Sequence, residues 1–249
     1  MEPGFNGLVI GMKDINENDR IIYVLTADYG LLEIIAKGIK KSNAKNAAAC
    51  QLYSYSRFTI TARNYNNILT GSEQIRSFYK LSEDMKKYAL ACYFSEVLRF
   101  SIMRNQPSEE ILRVVLNCFY MLTENKKSCA LIKSIFELRL VCFLGAMPNL
   151  IGCAECYKFD ADRMFLLYQD GKLLCEDDFN NRRSESAFVE IDRTILHTMR
   201  IVCLTELEKC FGFNLKGDSL RKFGVITETY LLTYLDTDFK SLDFYKSLD

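Results

Sequence analysis

Proline, glycine and histidine are all scarce in this 249-residue sequence. Three prolines and twelve glycines are too few for a collagen-like chain or a proline- and glycine-rich disordered chain. The N-terminus shows no basic segment followed by an apolar one, so no secretory signal is visible. The most apolar long stretch, residues 130–152, carries Lys133, Glu137 and Arg139 and is too interrupted to span a membrane. We therefore expect a cytoplasmic protein, in which this stretch is a core helix followed by a loop.

The sequence also lacks the patterns that mark common enzyme sites. Its one histidine, His197, lies on a predicted helix without a serine or cysteine motif around it. No glycine-rich loop of the kind that cradles phosphates is present, which argues against a bound nucleotide. The acidic run at residues 176–178 could hold a hard cation, but such runs are usually just solvated. We predict that the protein is not an enzyme.

The charged residues balance, with 32 lysines and arginines against 32 aspartates and glutamates. A zero sum argues at first sight against a polyanionic partner. The balance is uneven along the chain, however, because residues 1–80 hold ten basic and seven acidic side chains and nearly all of the positive excess follows Ile34. The zero net charge therefore does not exclude nucleic-acid binding. It restricts such binding to a part of the chain where basic residues are in excess.

The hydrophobic periodicity divides the chain into parts of different secondary structure. Up to about residue 78 the apolar runs are short, β-branched and separated by turns, which predicts five or so strands in a small closed barrel. From about residue 79 onward the apolar spacing is helical. We predict an α+β protein with a barrel over residues 1–78, a helical domain over 79–149 and 187–249, and an acidic, loop-like insertion over 150–186.

The insertion contains cysteines at metal-ligand spacing. Without a signal peptide, the ten cysteines are expected to be reduced thiols rather than disulfides. Two residues separate Cys153 from Cys156, and Asp178 follows Cys175 by three positions, so that both pairs could share one tetrahedral zinc ion. Three interpretations stay open: Asp178 is the fourth ligand, a nearby thiol such as Cys203 replaces it, or the loop folds without metal. Bound zinc would fix a loop with few apolar residues of its own and would not imply catalysis.

A window without acidic residues extends over Ile34–Gly71. It combines cations with aromatic side chains, as single-stranded nucleic acid binding requires, and its lysine run has no acidic neighbour in the sequence to compensate it. Strand alternation places Tyr53, Tyr55 and Arg57 together on one face, opposite the apolar residues that would fill a barrel. The tyrosines alone are equally compatible with an ordinary solvated strand face. The predicted nucleic-acid-binding residues are Lys37, Lys40, Lys41, Lys45, Tyr53, Tyr55 and Arg57.

Several segments along nearly the whole chain match a known family signature in the right order. Near the N-terminus these are Asn16-Glu17-Asn18-Asp19-Arg20-Ile21-Ile22 and Ala36-Lys37-Gly38-Ile39-Lys40-Lys41-Ser42. Further along they are Phe78-Tyr79-Lys80-Leu81-Ser82-Glu83-Asp84, Phe136-Glu137-Leu138-Arg139-Leu140, and Cys153 with Cys156. Together these segments resemble the RecO family of recombination mediators.

The resemblance implies an N-terminal OB-type barrel, a helical domain and a zinc-ribbon-like element with one structural Zn²⁺. It also implies a role in the RecF pathway of DNA repair, in the bacterial cytoplasm at the nucleoid. Family members bind single- and double-stranded DNA, anneal complementary strands without a nucleotide, associate with RecR and help RecA load on DNA coated by single-strand-binding protein. The matching basic residues are Lys37, Lys40 and Lys41. Asp178 stands where the family has a cysteine.

The helical domain is expected to bind the acidic C-terminal tail of single-strand-binding protein, and membranes are not expected as partners. The sequence does not locate a groove for that tail, although Arg99, Arg104, Lys133 and Arg139 lie on candidate helices. The competing hypothesis is a helical interaction protein whose zinc ribbon docks on other proteins and which does not bind DNA. Salt-dependent DNA binding would separate the two hypotheses, because only contacts to phosphates release counterions.

Overall fold

The computed structural model describes residues 4–63, 66–182 and 186–248. The chain divides into two compact units. One contains the residues up to Lys126 together with those from Phe239 onward, and the other contains Lys127–Asp238. The α+β class, with a barrel followed by helices, is confirmed. The domain limits predicted from the sequence follow changes of secondary structure rather than these two units, and they stay a prediction.

The first unit is built on a closed barrel of five strands in the order β1-β2-β3-β5-β4. Neighbouring strands are antiparallel except β3 and β5, which run parallel. Alternate side chains point into the barrel, where Val9, Ile22, Val24, Ile34 and Phe58 are buried together. The strands are Phe5–Asp14 (β1), Arg20–Thr26 (β2), Leu31–Ala36 (β3), Ser54–Arg63 (β4) and Asn66–Ser77 (β5).

The turn between β2 and β3 joins the barrel to the helices of the same unit. Gly30 has a φ of +63°, and a Cβ atom at this position would lie 2.3 Å from the carbonyl oxygen of Met103. The adjacent Tyr29 carbonyl accepts a hydrogen bond from the N–H of Asn105 at 2.9 Å. Only glycine combines this backbone conformation with such a close approach of another chain segment.

Two long helices follow the barrel: Met85–Ser101 (α1) and Glu109–Thr123 (α2). The side chain of Asp84 caps α1 by accepting the N–H of Lys87 at 3.1 Å, a few residues after the point where the helical spacing begins in the sequence. Val115 and Phe119, four residues apart on α2, are both buried. The helical spacing seen in the sequence therefore marks the buried faces of these helices.

The second unit combines helices with a four-stranded sheet in the order β6-β8-β7-β9. In this sheet β7 pairs antiparallel with β8 and with β9, whereas β6 pairs parallel with β8. The elements are Cys129–Phe143 (α3), Asn149–Cys153 (β6), Arg163–Leu167 (β7), Lys172–Cys175 (β8), Glu176–Asn181 (α4), Phe188–Asp192 (β9), Arg193–Leu204 (α5) and Gly217–Leu235 (α6).

The sheet corrects the expectation that residues 150–186 form a loop with few apolar residues of its own. Met164, Leu166 and Leu173 are completely buried, and Phe165 and Leu174 are nearly so. Among the described residues of this segment, the acidic ones lie between the strands or in α4. They hide, in the sequence, two short apolar runs that are long enough to be strands. The insertion therefore has an apolar core of its own in addition to its cysteines.

Two of the charges that interrupt the apolar stretch at 130–152, Lys133 and Glu137, form an ion pair inside the second unit. The buried Lys133 ammonium lies 2.8 Å from Glu137 Oε1 and 2.7 Å from Glu228 Oε2, and Thr227 Oγ1 donates to Glu137 Oε2 at 2.8 Å. The core helix is confirmed as α3, but the segment after it contains β6 rather than only a loop. Burial of Lys133 and Glu137 is compatible with a folded core because the two charges are paired.

A last helix, Lys240–Lys246 (α7), returns to the first unit. The N–H of Ser241 donates to Glu96 Oε2 at 3.0 Å, and the Phe239 ring centroid lies 6.1 Å from that of Tyr93. Within the part of the chain that the structure describes, none of the helices is both long and apolar enough to cross a membrane.

Candidate nucleic-acid interface and metal centre

The four lysines predicted to bind DNA lie on one segment after β3, residues 37–45, which we term the lysine loop. Lys37, Lys40, Lys41 and Lys45 are all exposed there. Gly38 turns the chain with a φ of +65°. Exposure on a loop that is anchored to a rigid barrel is the arrangement in which cations can reach a phosphate backbone.

Two acidic side chains at or near the β1–β2 turn lie against this loop. Asp14 lies 2.7 Å from Arg20 Nε and 3.0 Å from Lys40 Nζ, and Asp19 Oδ1 accepts the backbone N–H of Gly38 at 2.6 Å. The expectation that the lysine charge is uncompensated is therefore wrong for Lys40. Folding brings in acids from residues 14 and 19, which lie outside the acid-free window of the sequence.

The pKa values of both carboxyl groups reflect these contacts. Hydrogen bonds from Arg20 and then Lys40 hold the pKa of Asp14 below its usual value. For Asp19 the largest cause of the lowered pKa is the hydrogen bond from the Gly38 N–H, followed by one from Asn16. Both groups are therefore anionic at neutral pH, but they bind different partners. Asp14 binds side chains, whereas Asp19 binds the backbone of the lysine loop.

Tyr55 and Arg57 lie towards the other end of β1 from the lysine loop. Arg57 pairs with Asn6, the second residue of β1. Asp14, which contacts Lys40, is the last residue of the same strand. Eight residues of extended strand span roughly 26 Å. Arg57 is exposed and Tyr55 is half-buried. Tyr55 and Arg57 thus occupy a different area of the barrel from Lys40. Lys45 is nearer to them, because the side chain of the adjacent Asn46 accepts the N–H of Ser72, which pairs with Phe58 of β4.

The predicted outward placement of Tyr53 is wrong. Only 3% of this residue is exposed, and its ring centroid lies 5.1 Å from that of Phe119 on α2. Its φ of 62° turns the chain just before β4 begins at Ser54, so the strand alternation does not extend to residue 53. From Ser54 onward the predicted alternation holds, with Ser56 and Phe58 buried. Tyr53 packs the barrel against the helices and cannot stack on a base.

The predicted metal-binding residues come together as one group in the second unit, which we term the cysteine cluster: Cys153, Cys156, Cys175 and Asp178. Their ligand atoms all lie within 4.8 Å of one another. Asp178 Oδ2 is 3.0 Å from Cys153 Sγ and 3.1 Å from Cys175 Sγ, and the sulfurs of Cys156 and Cys175 are 3.7 Å apart. A tetrahedral zinc ion with Zn–S bonds of about 2.3 Å keeps two sulfurs roughly 3.8 Å apart, so the spacing fits zinc.

The protonation of the cluster shows why a cation suits it. Hydrogen bonds from the thiols of Cys156, Cys153 and Cys175 hold the pKa of Asp178 down to about 2. The hydrogen bond to the ionised Asp178 is the largest cause that raises the pKa of Cys156 to about 12. The carboxylate therefore takes the negative charge, whereas the raised pKa values of Cys156 and Cys175 favour their protonated thiols. A divalent cation at the centre reverses this preference, because coordinating thiols lose their protons.

Arg200, on α5, braces the turn that carries the first two cysteines. It donates to the carbonyl oxygens of Leu150 at 2.8 Å and Phe159 at 2.6 Å, and its guanidinium lies 4.1 Å from the Phe159 ring centroid. The N–H of Cys153 donates to the carbonyl of Lys158 at 2.9 Å in the same turn. This role of Arg200 could not be predicted from the sequence, because no spacing rule connects residue 200 with residue 153.

With this geometry in place, the chain can be compared with known proteins. A family model described as "Recombination protein O N terminal" matches residues 1–78, and one described as "Recombination protein O C terminal" matches residues 82–243. The chain belongs to the RecO family. The resemblance inferred from the sequence is thereby confirmed, as is the OB-type barrel it implies.

Curated relatives match along nearly the whole chain. The DNA repair protein RecO of Acetivibrio thermocellus is 25% identical over 98% of this chain and 96% of its own length. That of Caldicellulosiruptor bescii is 26% identical over 96% of both chains. That of Listeria monocytogenes is 23% identical over 98% of this chain and 93% of its own length. Both units of this RecO-family chain therefore have counterparts in its relatives.

The alternative of Cys203 as the fourth metal ligand does not fit the structure. Cys203 lies outside the cysteine cluster, and its pKa is raised mainly by a hydrogen bond with Cys142 and then by burial. Asp178 is thus the fourth ligand that the geometry offers. His197, the one histidine of the sequence, is exposed on α5.

The candidate cations for an acidic-tail groove divide between surface and core. Lys133 and Arg139 are buried, so neither is available to an external peptide. Arg104 is exposed but lies 2.6 Å from Glu33, and the Arg99 guanidinium lies 4.1 Å from the Tyr23 ring centroid. Only the last two remain accessible, and both belong to the first unit.

Proposed function

We propose that this RecO-family chain is a DNA-binding recombination mediator in bacterial DNA repair. It binds single- and double-stranded DNA, anneals complementary strands, and helps RecA load on DNA coated by single-strand-binding protein. The observation that carries DNA binding is the lysine loop, whose four cations are all exposed on one short segment of the barrel unit. The names of the relatives, all DNA repair proteins, support the cellular role.

Electrostatics supply the mechanism. Two DNA strands repel each other through their phosphates, and annealing needs that repulsion lowered while the base edges stay free to pair. Cations on a loop can contact phosphates and release condensed counterions without reading bases. Tyr55 and Arg57, at the other area of the barrel, are suited to a base or a phosphate of the same strand. None of these steps needs a nucleotide or an active site.

The cysteine cluster serves a structural role in this proposal. Cys153, Cys156, Cys175 and Asp178 would hold one Zn²⁺, which would stabilise the fold of this segment. A set of four protein ligands is typical of structural rather than catalytic zinc. RecR and the acidic tail of single-strand-binding protein are the proposed protein partners.

The lysine loop provides the test of DNA binding. Reversing two charges in Lys37→Glu/Lys41→Glu removes two phosphate contacts, so the slope of log K against log salt should become shallower by about 1.4 for single-stranded DNA. We expect affinity at low salt to fall by at least about tenfold. Fluorescence anisotropy with a labelled oligonucleotide across a salt series measures both quantities.

A matched control separates the site from the overall charge. Lys209→Glu/Lys216→Glu makes the same charge change on exposed residues of the second unit and should leave binding nearly unchanged. Equal losses of DNA affinity in the two double variants would show that the effect comes from net charge and not from the lysine loop. Unchanged binding in Lys37→Glu/Lys41→Glu would remove the lysine loop from the proposal. A wild-type protein that binds no DNA at low salt would support the alternative of a pure protein-interaction module.

A further inference from the structure

The β1–β2 turn forms a network of hydrogen bonds around one aspartate. Asn16 Oδ1 accepts the backbone N–H groups of Asn18 at 2.9 Å and Asp19 at 2.8 Å. Asn16 Nδ2 donates to Asp19 Oδ2 at 3.0 Å. Since Asp19 Oδ1 accepts the N–H of Gly38 at 2.6 Å, both oxygens of this carboxylate are engaged. Asn16 therefore fixes the Asp19 side chain within the β1–β2 turn, and Asp19 in turn binds the backbone of the lysine loop.

The loop backbone makes the matching contacts. The N–H of Lys40 donates to the carbonyl of Asn18 at 3.1 Å, and the N–H of Lys41 donates to the carbonyl of Gly38 at 3.2 Å. The positive φ of Gly38 lets its N–H face the aspartate while the chain turns back. The side chains of Lys37 and Lys41 stay exposed on either side of this bond.

We infer that Asp19 is a positioning residue for DNA binding, which supports the binding of a polyanion although it carries a negative charge itself. This inference rests on the proposed role of the lysine loop. By fixing the backbone at Gly38, Asp19 removes conformational freedom that the loop would otherwise lose when phosphates bind. Asp14 differs, because it engages only the side chains of Arg20 and Lys40.

Charge and positioning predict opposite signs for the removal of Asp19, which makes the inference testable. If only charge matters, loss of an acid beside Lys37 and Lys41 strengthens DNA binding. If positioning dominates, the loss of the Gly38 hydrogen bond loosens the loop and weakens binding. Glu17 provides the matched control, because it is an exposed acid in the same turn and lines the same shallow cleft as Asp19.

The experiment compares Asp19→Ala, Asp19→Asn and Glu17→Gln in oligonucleotide binding across a salt series. We expect Asp19→Ala to bind about fivefold more weakly than wild type, since a more mobile loop has more entropy to lose on binding. Asp19→Asn keeps an acceptor for the Gly38 N–H and should recover part of that loss. Glu17→Gln should bind as tightly as wild type or more tightly. Tighter binding by all three variants overturns the inference.

A double-mutant cycle distinguishes positioning from a general loss of stability. In a Lys37→Ala/Lys41→Ala background Asp19→Ala should have little further effect, because it acts through those two lysines. An equal fivefold loss in that background overturns the inference. Faster hydrogen exchange at the amides of Gly38 and Lys40 in Asp19→Ala, without DNA, is the second expected result, and unchanged exchange also overturns it. If Lys37→Ala/Lys41→Ala binds DNA normally, the proposed function of the lysine loop fails instead. The hydrogen-exchange data then still test whether Asp19 fixes the backbone at Gly38.

Discussion

The lysine loop and the cysteine cluster each gather charge of one sign, but the protein treats the two differently. The loop has internal counterions, because Asp14 contacts Lys40 and Asp19 contacts the loop backbone. In the cysteine cluster, the four potential ligands are all acidic groups. The loop is therefore stable as it stands and can exchange partners, whereas the cluster reaches a fully ionised state only with a cation.

In the proposed function, this difference separates a site for transient DNA binding from a site for permanent metal binding. Cations on a surface loop release their ligand when salt competes, as a protein that must leave its DNA requires. Ligands that are partly buried and fixed by strand ends, a helix turn and Arg200 release a metal slowly, as a structural centre requires. Breaking each site should therefore have a different consequence: loss of fold at the cluster and loss of affinity at the loop.

Removal of the metal should have the largest effect. Zinc that binds only the folded state, at roughly a thousand times its Kd, contributes about 4 kcal/mol to the free energy of unfolding. We expect a chelator to lower the thermal unfolding temperature of the second unit and to leave the barrel unit nearly unchanged. Calorimetry with and without chelator, together with the zinc content of the same sample, measures this. A Cys153→Ser/Cys156→Ser variant should not respond to chelator, and a purified wild type without zinc would contradict the prediction.

Replacement of the oxygen ligand should have an intermediate effect. Asp178→Cys completes a set of four thiolates, which suits zinc, and should raise zinc affinity. Asp178→Ala leaves three protein ligands and should lower it by at least about tenfold. Competition with a coloured zinc chelator gives both values. Cys203→Ser is the matched control, since this thiol lies outside the cluster. Equal affinities for Asp178→Ala and wild type would show that the carboxylate is not a ligand.

Removal of a counterion from the loop should have the smallest effect. Asp14→Asn frees Lys40 and Arg20 from a negative partner, so DNA binding should tighten by about twofold and become steeper in salt. Asp218→Asn makes the same charge change in the second unit, where it frees Lys222 from a negative partner, and should change binding less. Anisotropy titrations at low salt resolve the two. Weaker binding by Asp14→Asn would place Asp14 with Asp19 as a positioning residue.

Features that depend only on residues close together in the sequence could be predicted from it. The short strands and their turns predict the barrel, and the spacing of Cys153 and Cys156 predicts half of the cluster because one turn carries both. The alternation along β4 holds from Ser54 onward and fails at Tyr53, where a positive φ breaks its period. The strands β7 and β8 were missed because acidic turns surround short apolar runs.

Contacts between distant residues could not be predicted in this way. Asp14 and Lys40 are 26 residues apart, and Arg200 and Phe159 are 41 apart. Both pairs exist because strand order and helix docking bring the segments together, and no local pattern carries that information. The signature around Asp19 did mark a special turn, but only the bond to Gly38 shows what the turn does.

The return of α7 to the first unit has a consequence for synthesis of the chain. The second unit is a continuous insertion, Lys127–Asp238, and α7 follows it. A ribosome therefore completes every residue of the inserted unit before the last helix of the outer unit emerges. The inserted unit can fold first. Until the last helix has been synthesised, Glu96 on α1 lacks the hydrogen bond that the N–H of Ser241 donates to it. A premature stop soon after residue 238 would thus leave a finished inner unit attached to an unfinished outer one.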